Sequence, residues 1–331
     1  LERLFQLGVK NPDLLIQELK NGDPLNVSLG PDGFICPTEP GTALSDPAAA
    51  DADRLTRFVA AEPGTWIFYQ HLRKAGGTGF CQLATDNLKK GEVPPYYCMV
   101  DRRGSLATPP WNDPTYTTQK LRNGKFRISA NEWDVFYESM FQWPGAIFAT
   151  TMRDPIDRIY SQYRFEHLEH RDGSGKEAKR KQAKEYYLSQ RGWTMGNNYY
   201  IKTFLGDQDK TPAKAGTGDF YWTYSKYRQK KLTWDMFDSA LRNIMRFHLI
   251  FITEWLEPSS TAILNRTLHW TVPPKQVLPH EVQALRRIKV SSSAEDKMPP
   301  DDYLYILRDN IFDLLFFRAV QRIYLERLNC Q

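Results

Sequence analysis

Apolar residues along the chain form two kinds of run that alternate, and this pattern predicts an α/β protein. Short runs of strand length occupy 66–72, 146–152 and 248–254. Other stretches repeat apolar residues every three or four positions, which predicts amphipathic helices, and the longest of these covers 301–328. The alternation favours a parallel sheet with helices on both faces.

The remaining stretches predict one domain with additions. Residues 1–64 are expected to form an N-terminal extension that is partly loop, followed by a single domain at 65–331. Within the extension, a short helix is expected over 11–20, and the stretch 22–53 is rich in Gly, Pro, Asp and Ala and predicts loop. The proline-rich stretch 91–124 is predicted to be a long surface insertion.

The first strand is followed by a glycine-rich segment with two basic residues, His71-Leu-Arg-Lys-Ala-Gly-Gly-Thr-Gly79. A strand, a glycine loop and a helix together form a layout that binds phosphate, because the loop and the helix N-terminus present N–H groups to an anion. Lys74 would add a full charge and Thr78 a hydroxyl donor. The predicted anion-binding residues are Arg73, Lys74, Ala75, Gly76, Gly77, Thr78 and Gly79. The alternative is an ordinary strand-to-helix turn. A Walker loop is excluded because the lysine precedes the glycines.

A second segment has a similar layout. The strand predicted at 146–152 runs into Arg153-Asp-Pro, with the proline in the first turn of a predicted helix, and Ser161 lies two helical turns further on. An arginine at such a place is, by itself, about as often part of a surface ion pair as of a binding site. The two segments in this order favour a binding site more strongly than either segment does alone.

Together the two segments resemble those of the Golgi carbohydrate sulfotransferases, and most closely those of the heparan sulfate 6-O-sulfotransferases. In that family the first segment grips the 5′ end of 3′-phosphoadenosine 5′-phosphosulfate (PAPS), and the second binds its 3′-phosphate. The resemblance covers 65–328 in segments and implies a P-loop-like sulfotransferase fold. It assigns Arg153 and Ser161 to the 3′-phosphate. It also implies that 196–206 borders the acceptor cleft and that 271–300 folds over the nucleotide.

The resemblance fails at the position of the general base. Relatives place their proposed catalytic histidine in a His-Ala-Asp-Trp-like segment, whereas this chain has Ser129-Ala-Asn-Glu-Trp133. Glu132 is the nearest carboxylate and is the first candidate base, with His71 and His167 as alternatives. Two of the three also have a structural interpretation: Glu132 as a cap or an ion-pair partner, and His71 as a hydrogen-bond partner at a strand end.

The function expected from these segments is that of an O-sulfotransferase. It would move the sulfuryl group of PAPS in line to an acceptor hydroxyl and release the product PAP, with Lys74 stabilising the leaving oxygen and no metal. The acceptor would be a polysaccharide or glycan, with a peptide or a small alcohol as alternatives. Two further functions stay open, namely a kinase-like nucleotide-binding enzyme and a catalytically inactive module that binds PAPS or PAP.

Composition changes this picture only slightly. Of the 331 residues, 41% are hydrophobic and 25% charged, as in globular proteins. The net charge of +5 suits an anionic cofactor and is too small to argue for nucleic acid. No apolar run approaches about 18 residues, so no membrane span is predicted.

The cysteines bear on the compartment. They fit a lumenal protein with one or two disulfides, or a cytosolic protein with free thiols, and their spacing gives no metal site. The four are Cys36, Cys81, Cys98 and Cys330. Two glycosylation sequons, at Asn26 and Asn265, and the resemblance favour the Golgi lumen. The chain begins at Leu1 rather than methionine, so we expect a type II anchor to precede it.

Overall fold

The computed structural model describes ten parts of the chain. They are residues 36, 52–101, 106, 110–132, 135–169, 182–205, 232–256, 259–272, 294 and 298–330. The helix expected at 11–20 and nearly all of the loop expected at 22–53 lie outside them.

The centre of the protein is a four-stranded parallel sheet, which confirms the predicted α/β class. Its strands are β1 (Trp66–Gln70), β2 (Ile128–Asn131), β3 (Ala146–Met152) and β4 (Leu249–Ile252). Their order across the sheet is β2-β1-β3-β4. All the strand residues are buried. Strands of a parallel sheet are buried on both faces, which explains why β1, β3 and β4 read as mainly apolar runs in the sequence, whereas β2 contains the buried polar residues Ser129 and Asn131.

The strand order creates a crevice. β2 and β3 pair with opposite edges of β1, so the strand order reverses at β1. In open sheets of this kind, ligands bind beyond the carboxyl ends of the strands at the point of reversal. Gln70 pairs with Asn131 of β2 and with Thr150 of β3. The segments that follow β1, β2 and β3 therefore start at the same edge of the sheet.

Eleven helices surround the sheet in the part of the chain that is described. They are α1 (Ala52–Val59), α2 (Gly77–Asn87), α3 (Pro114–Gly124), α4 (Pro155–Tyr163), α5 (Ala183–Leu188), α6 (Gln190–Gly196), α7 (Tyr199–Phe204), α8 (Trp234–Met245), α9 (Ser259–Leu268), α10 (Pro300–Asp309) and α11 (Ile311–Asn329). A π-helical turn, Arg164–Glu169, continues α4. Short 3₁₀ turns occupy Glu138–Gln142 and Thr253–Trp255.

Two predictions of secondary structure are wrong in detail. The insertion predicted at 91–124 ends in a helix, because Asp113 accepts a hydrogen bond from the backbone N–H of Thr115 at 2.8 Å and proline follows it at the first helical position. The single helix predicted at 301–328 is two helices that meet at Asn310. The Asn310 side chain donates to the carbonyl of Ile306 at 2.7 Å and satisfies one of the carbonyls at the end of α10.

Aromatic rings fill the core beside β1 and β3. Phe68, Phe136, Phe148 and Phe247 are all buried, and the contacts of Phe136 with the other three are edge-on, with ring centroids 4.9 to 5.8 Å apart. Edge-on aromatic pairs stabilise a fold by about 0.5–1.5 kcal/mol beyond their buried area. The strands that carry the crevice are thus fixed by dense packing at their centres.

The four cysteines form two disulfides. Cys36 pairs with Cys330 and Cys81 with Cys98, with Cα atoms 5.7 and 5.6 Å apart. Disulfides persist mainly in oxidising compartments, so both bonds are compatible with a secreted or lumenal protein. No helix in the described ranges is long and apolar enough to cross a bilayer.

Candidate functional site

The glycine loop ends at a helix start that is open to an anion. Gly76 is the N-cap of α2, and no side chain caps the helix there. The first helical hydrogen bond runs from the N–H of Phe80 to the carbonyl of Gly76 at 3.1 Å. The preceding N–H groups, those of Gly77, Thr78 and Gly79, therefore have no acceptor within the helix. Uncapped N–H groups at the positive end of a helix form an anion site.

The loop has a defined backbone that rests on the ends of β3 and β4. Lys74 and Gly76 adopt positive φ angles of 62° and 86°. The Thr253 hydroxyl donates to the carbonyl of Met152 at 2.8 Å and also lies 3.2 Å from the carbonyl oxygen of Ala75. A Cβ atom added at Gly76 would lie 3.4 Å from that hydroxyl. The loop is thus packed against the neighbouring strands and lies at the crevice.

Three residues predicted for the site form one cluster. A Glu132 carboxylate oxygen lies 3.4 Å from Arg73 Nη1, and the other lies 3.8 Å from His71 Nδ1. His71 and Arg73 are both buried, and no described residue makes a hydrogen bond to His71 Nδ1. Burial lowers the pKa of His71, although the Glu132 charge opposes this effect. The imidazole is therefore neutral at neutral pH and lies beside a carboxylate.

The His71 ring packs directly on the start of α2. A Cβ atom added at Gly77 would lie 1.8 Å from His71 Cδ2 and 2.0 Å from Nε2. The imidazole also stacks on Tyr69, at a centroid distance of 5.7 Å. Gly77 is therefore required for close approach of this ring, and Nε2 faces the helix start.

This packing gives the first prediction. Gly77→Ala should lower the free energy of unfolding by about 1–3 kcal/mol, because the added methyl overpacks a buried site. In a His71→Ala background the same change should cost little, since the space of the ring is then free. Urea unfolding of the two single variants and the double variant measures this coupling. Equal costs of Gly77→Ala in both backgrounds would contradict the packing described.

Lys74 lies on the side of the crevice formed by α4. Its ammonium is 4.2 Å from the centroid of the Phe165 ring, a cation–π distance. Phe165 follows the half-buried Ser161 by four residues, so both residues belong to the same face of the helical segment. Lys74 of the first loop therefore lies close to the helical segment that contains Ser161, which is predicted to bind the 3′-phosphate.

The second predicted loop is a tightly bonded turn. Arg153 follows β3, and its backbone N–H and carbonyl both bond to the Tyr200 hydroxyl. Asp154 caps α4 by accepting from the N–H groups of Ile156 and Asp157 at 2.9 and 3.0 Å. Burial, together with the nearby Asp157 charge, raises the pKa of Asp154 to about 6, although the two N–H bonds oppose this. These contacts fix the backbone from which the Arg153 side chain extends.

Sequence reasoning missed several residues that support the two loops: Thr253, Glu254, Phe165, Tyr199 and Tyr200. Glu254 accepts from the backbone N–H of Asp154 at 2.8 Å. From the sequence, Thr253 and Glu254 were identified as the end of the strand predicted at 248–254 and as part of a segment that resembles the sulfotransferases, without a role at the loops. His167, an alternative candidate for the base, lies in the π-helical turn, and its side chain is outside the described part of the structure.

The resemblance places two further segments near the ligands, 196–206 and 271–300, and the structure describes most of the first and little of the second. Asn197 and Asn198 are buried and donate to Asp309 of α10, whereas the next two residues of this segment, Tyr199 and Tyr200, bond to the two loops. Most of the stretch 271–300 is outside the described residues. Within it, the N–H of Ala294 donates to Asp157 at 2.6 Å, which places that residue at the first turn of α4.

No protein-family model, curated protein or solved structure matches this chain. The class that the structure defines is that of α/β proteins with a parallel sheet and a glycine-loop helix start at the carboxyl edge of its strands. The function must be argued from the residues at that edge.

Proposed function

We propose that this protein is a PAPS-dependent O-sulfotransferase with the sulfotransferase fold, related to the Golgi carbohydrate sulfotransferases. One observation carries the proposal. The two segments that resemble the PAPS-binding motifs of that family, though some 75 residues apart in sequence, follow neighbouring parallel strands at the point where the strand order reverses. Nucleotides bind at this point in open α/β sheets.

The residues present suit a ligand with two anionic ends. The uncapped N–H groups at the start of α2 and the nearby cations Arg73 and Lys74 would hold the 5′ end. Arg153 and Ser161 would hold the 3′-phosphate from the end of β3 and from α4. The Gly76 position supports this fit, since its positive φ favours glycine, and a backbone without a side chain can approach an anion closely.

When bound, PAPS supplies an activated sulfuryl group whose bond to the phosphate breaks as the acceptor oxygen approaches. Lys74 is placed on the loop that would border the departing oxygen, and its charge would be most effective as negative charge develops there. The His71 and Glu132 pair would accept the proton of the acceptor hydroxyl. A neutral imidazole next to a carboxylate is a suitable arrangement for this role.

The proposed acceptor is a glycan hydroxyl, and the proposed compartment is the Golgi lumen. Tyr96 and Tyr97 are about half exposed, with their rings in edge-on contact at 4.9 Å. The Cys81–Cys98 disulfide ties this pair to α2, one turn after the glycine loop. Exposed aromatic rings so close to the site are suited to pack against a sugar ring.

Arg153→Ala should weaken PAP binding by about 1.5–3 kcal/mol, the range for hydrogen bonds to charged groups. Binding of AMP, which lacks the 3′-phosphate, should change little. Calorimetric titration of both ligands measures the difference. The matched control is Arg246→Ala, since Arg246 lies before β4 at the opposite edge of the sheet and forms an exposed ion pair with Glu138. Unchanged PAP affinity in folded Arg153→Ala protein would remove Arg153 from the site.

The nucleotide class is tested by titrating wild-type protein with PAP and with ATP plus Mg²⁺. A sulfotransferase should bind PAP without metal and more tightly than AMP. Tight binding of ATP and Mg²⁺ with no preference for PAP would favour a kinase-like enzyme instead.

A further inference from the structure

Two adjacent tyrosines at the start of α7 each hold one of the two loops by hydrogen bonds to its backbone. The Tyr199 hydroxyl accepts from the N–H of Arg73 at 3.1 Å. The Tyr200 hydroxyl accepts from the N–H of Arg153 at 3.2 Å and donates to the carbonyl of the same residue at 2.6 Å. The residues that follow β1 and β3 are thus connected through one short helix that is distant from β1 in sequence.

The start of α7 has its own anchor. Asn198 precedes the helix with a left-handed backbone, at a φ of 41°. The Asp313 carboxylate of α11 accepts from the N–H groups of Tyr200 and Ile201 at 2.9 and 3.0 Å, and Asn198 accepts from the N–H of Asp313 at 3.1 Å. The two bonds to the Asp313 carboxylate satisfy N–H groups at the start of α7 that have no acceptor within the helix. Together with the bond from Asp313 to Asn198, they fix the point from which both phenols extend.

Arg158 confines the two rings. Its guanidinium is completely buried and lies 4.1 Å from the centroid of Tyr199 and 5.6 Å from that of Tyr200. It donates to the carbonyl of Met195 at 2.7 Å, and its charge acts on the buried Asp313. A buried cation within cation–π distance of two aromatic rings is a strong contact, so each phenol has little freedom to move.

The hydroxyls have a role separate from that of the rings. Burial raises the pKa of Tyr199 and of Tyr200, so both phenols stay neutral. A neutral hydroxyl both donates and accepts, which the paired bonds of Tyr200 to Arg153 require. Phenylalanine would fill the same volume and keep the contact with Arg158, while it would remove the hydroxyl and its bonds to the loops.

We infer that Tyr199 and Tyr200 are positioning residues that set the distance between the two anion sites. Tyr199 positions the loop for the 5′ end of the ligand, and Tyr200 positions Arg153 for the 3′-phosphate. The inference rests on the proposed function. It predicts that each tyrosine affects recognition of a different end of one ligand, which a general contribution to stability would not do.

The experiment compares Tyr199→Phe and Tyr200→Phe with three ligands: PAP, 5′-AMP and 3′-AMP. Tyr199→Phe should weaken PAP and 5′-AMP roughly tenfold, as for loss of a hydrogen bond, and leave 3′-AMP unchanged. Tyr200→Phe should weaken PAP and 3′-AMP by a similar factor and leave 5′-AMP unchanged. Tyr324→Phe is the matched control, because this buried tyrosine has its hydroxyl near Ser260, away from both loops.

Amide hydrogen exchange in the ligand-free protein gives a second readout that does not depend on any nucleotide. The Arg73 amide should lose protection in Tyr199→Phe, and the Arg153 amide in Tyr200→Phe. If both variants weaken all three ligands equally, or if neither does, the inference is wrong even where PAP is clearly preferred by the wild type. If the wild type does not distinguish PAP from 5′-AMP, the proposed function fails and the inference fails with it.

Discussion

Lys74→Ala should lower kcat by roughly a hundredfold or more while changing PAP affinity much less. The reason is that the ammonium is most useful when the bond to the departing nucleotide oxygen breaks and charge accumulates there. A contact that strengthens only in the transition state contributes to kcat rather than to ground-state binding. Steady-state kinetics with PAPS, together with calorimetry on PAP, separate the two effects.

The control for Lys74 is another lysine in contact with an aromatic ring. Lys120→Ala removes an ammonium that lies 5.3 Å from the Tyr116 centroid on α3, so it loses a similar cation–π contact outside the site. It should leave kcat unchanged. A Lys74→Ala enzyme with normal turnover would show that another residue stabilises the leaving oxygen. A large loss of PAP affinity with unchanged kcat would instead make Lys74 a ground-state anchor.

The second large effect concerns the general base. Substituting either His71 or Glu132 should lower kcat by about 10²–10⁴, the usual contribution of general acid–base catalysis. Sequence reasoning placed Glu132 first. The structure adds that Glu132 lies between Arg73 and the neutral His71, and that His71 Nε2 faces the start of α2. We therefore expect His71 to take the proton and the Glu132 charge, 3.8 Å from Nδ1, to stabilise the imidazolium that forms.

The pH profile distinguishes the two roles. His71 must be neutral to act as a base, and burial lowers its pKa from 6.5, so the rate should fall on the acidic side below pH 6.5. His71→Ala should abolish this acidic limb, whereas Glu132→Gln should keep a limb and reduce the rate. His248→Gln is the control, since His248 is a buried histidine that accepts from the N–H of Phe148 at 3.1 Å. Loss of the limb in Glu132→Gln alone would identify Glu132 as the base.

The fold was largely predictable because its signals are local. Strands β1, β3 and β4 are buried on both faces and therefore read as mainly apolar runs, as Ala146–Met152 does, whereas the short β2 is half polar and gives no such signal. The break between α10 and α11 was not predictable in the same way, because helical apolar spacing continues across Asn310. That helix end depends on the Asn310 side chain and its bond to Ile306, and a lone asparagine in a helical pattern rarely indicates such a stop.

The candidate site was predictable in its two loops and in Glu132, but not in the contacts that hold the loops. Gly76 and Arg153 belong to short motifs that follow strands, so the sequence alone identifies them as candidates. The bonds of Tyr199 and Tyr200 to those loops are different, since they join residues 47 to 126 positions apart. Only the folded chain shows which tyrosines reach the loops, because any hydroxyl at the right place could bond to a backbone N–H.

The central claim is tested most directly by incubating the protein with PAPS labelled in its sulfuryl group and a panel of glycans, peptides and small alcohols. We expect label to be transferred to a glycan hydroxyl, and we expect Lys74→Ala, but not Lys120→Ala, to reduce the transfer greatly. Tight PAP binding with no transfer to any acceptor, in protein shown to be folded, would contradict the account and identify a nucleotide-binding module without catalytic activity.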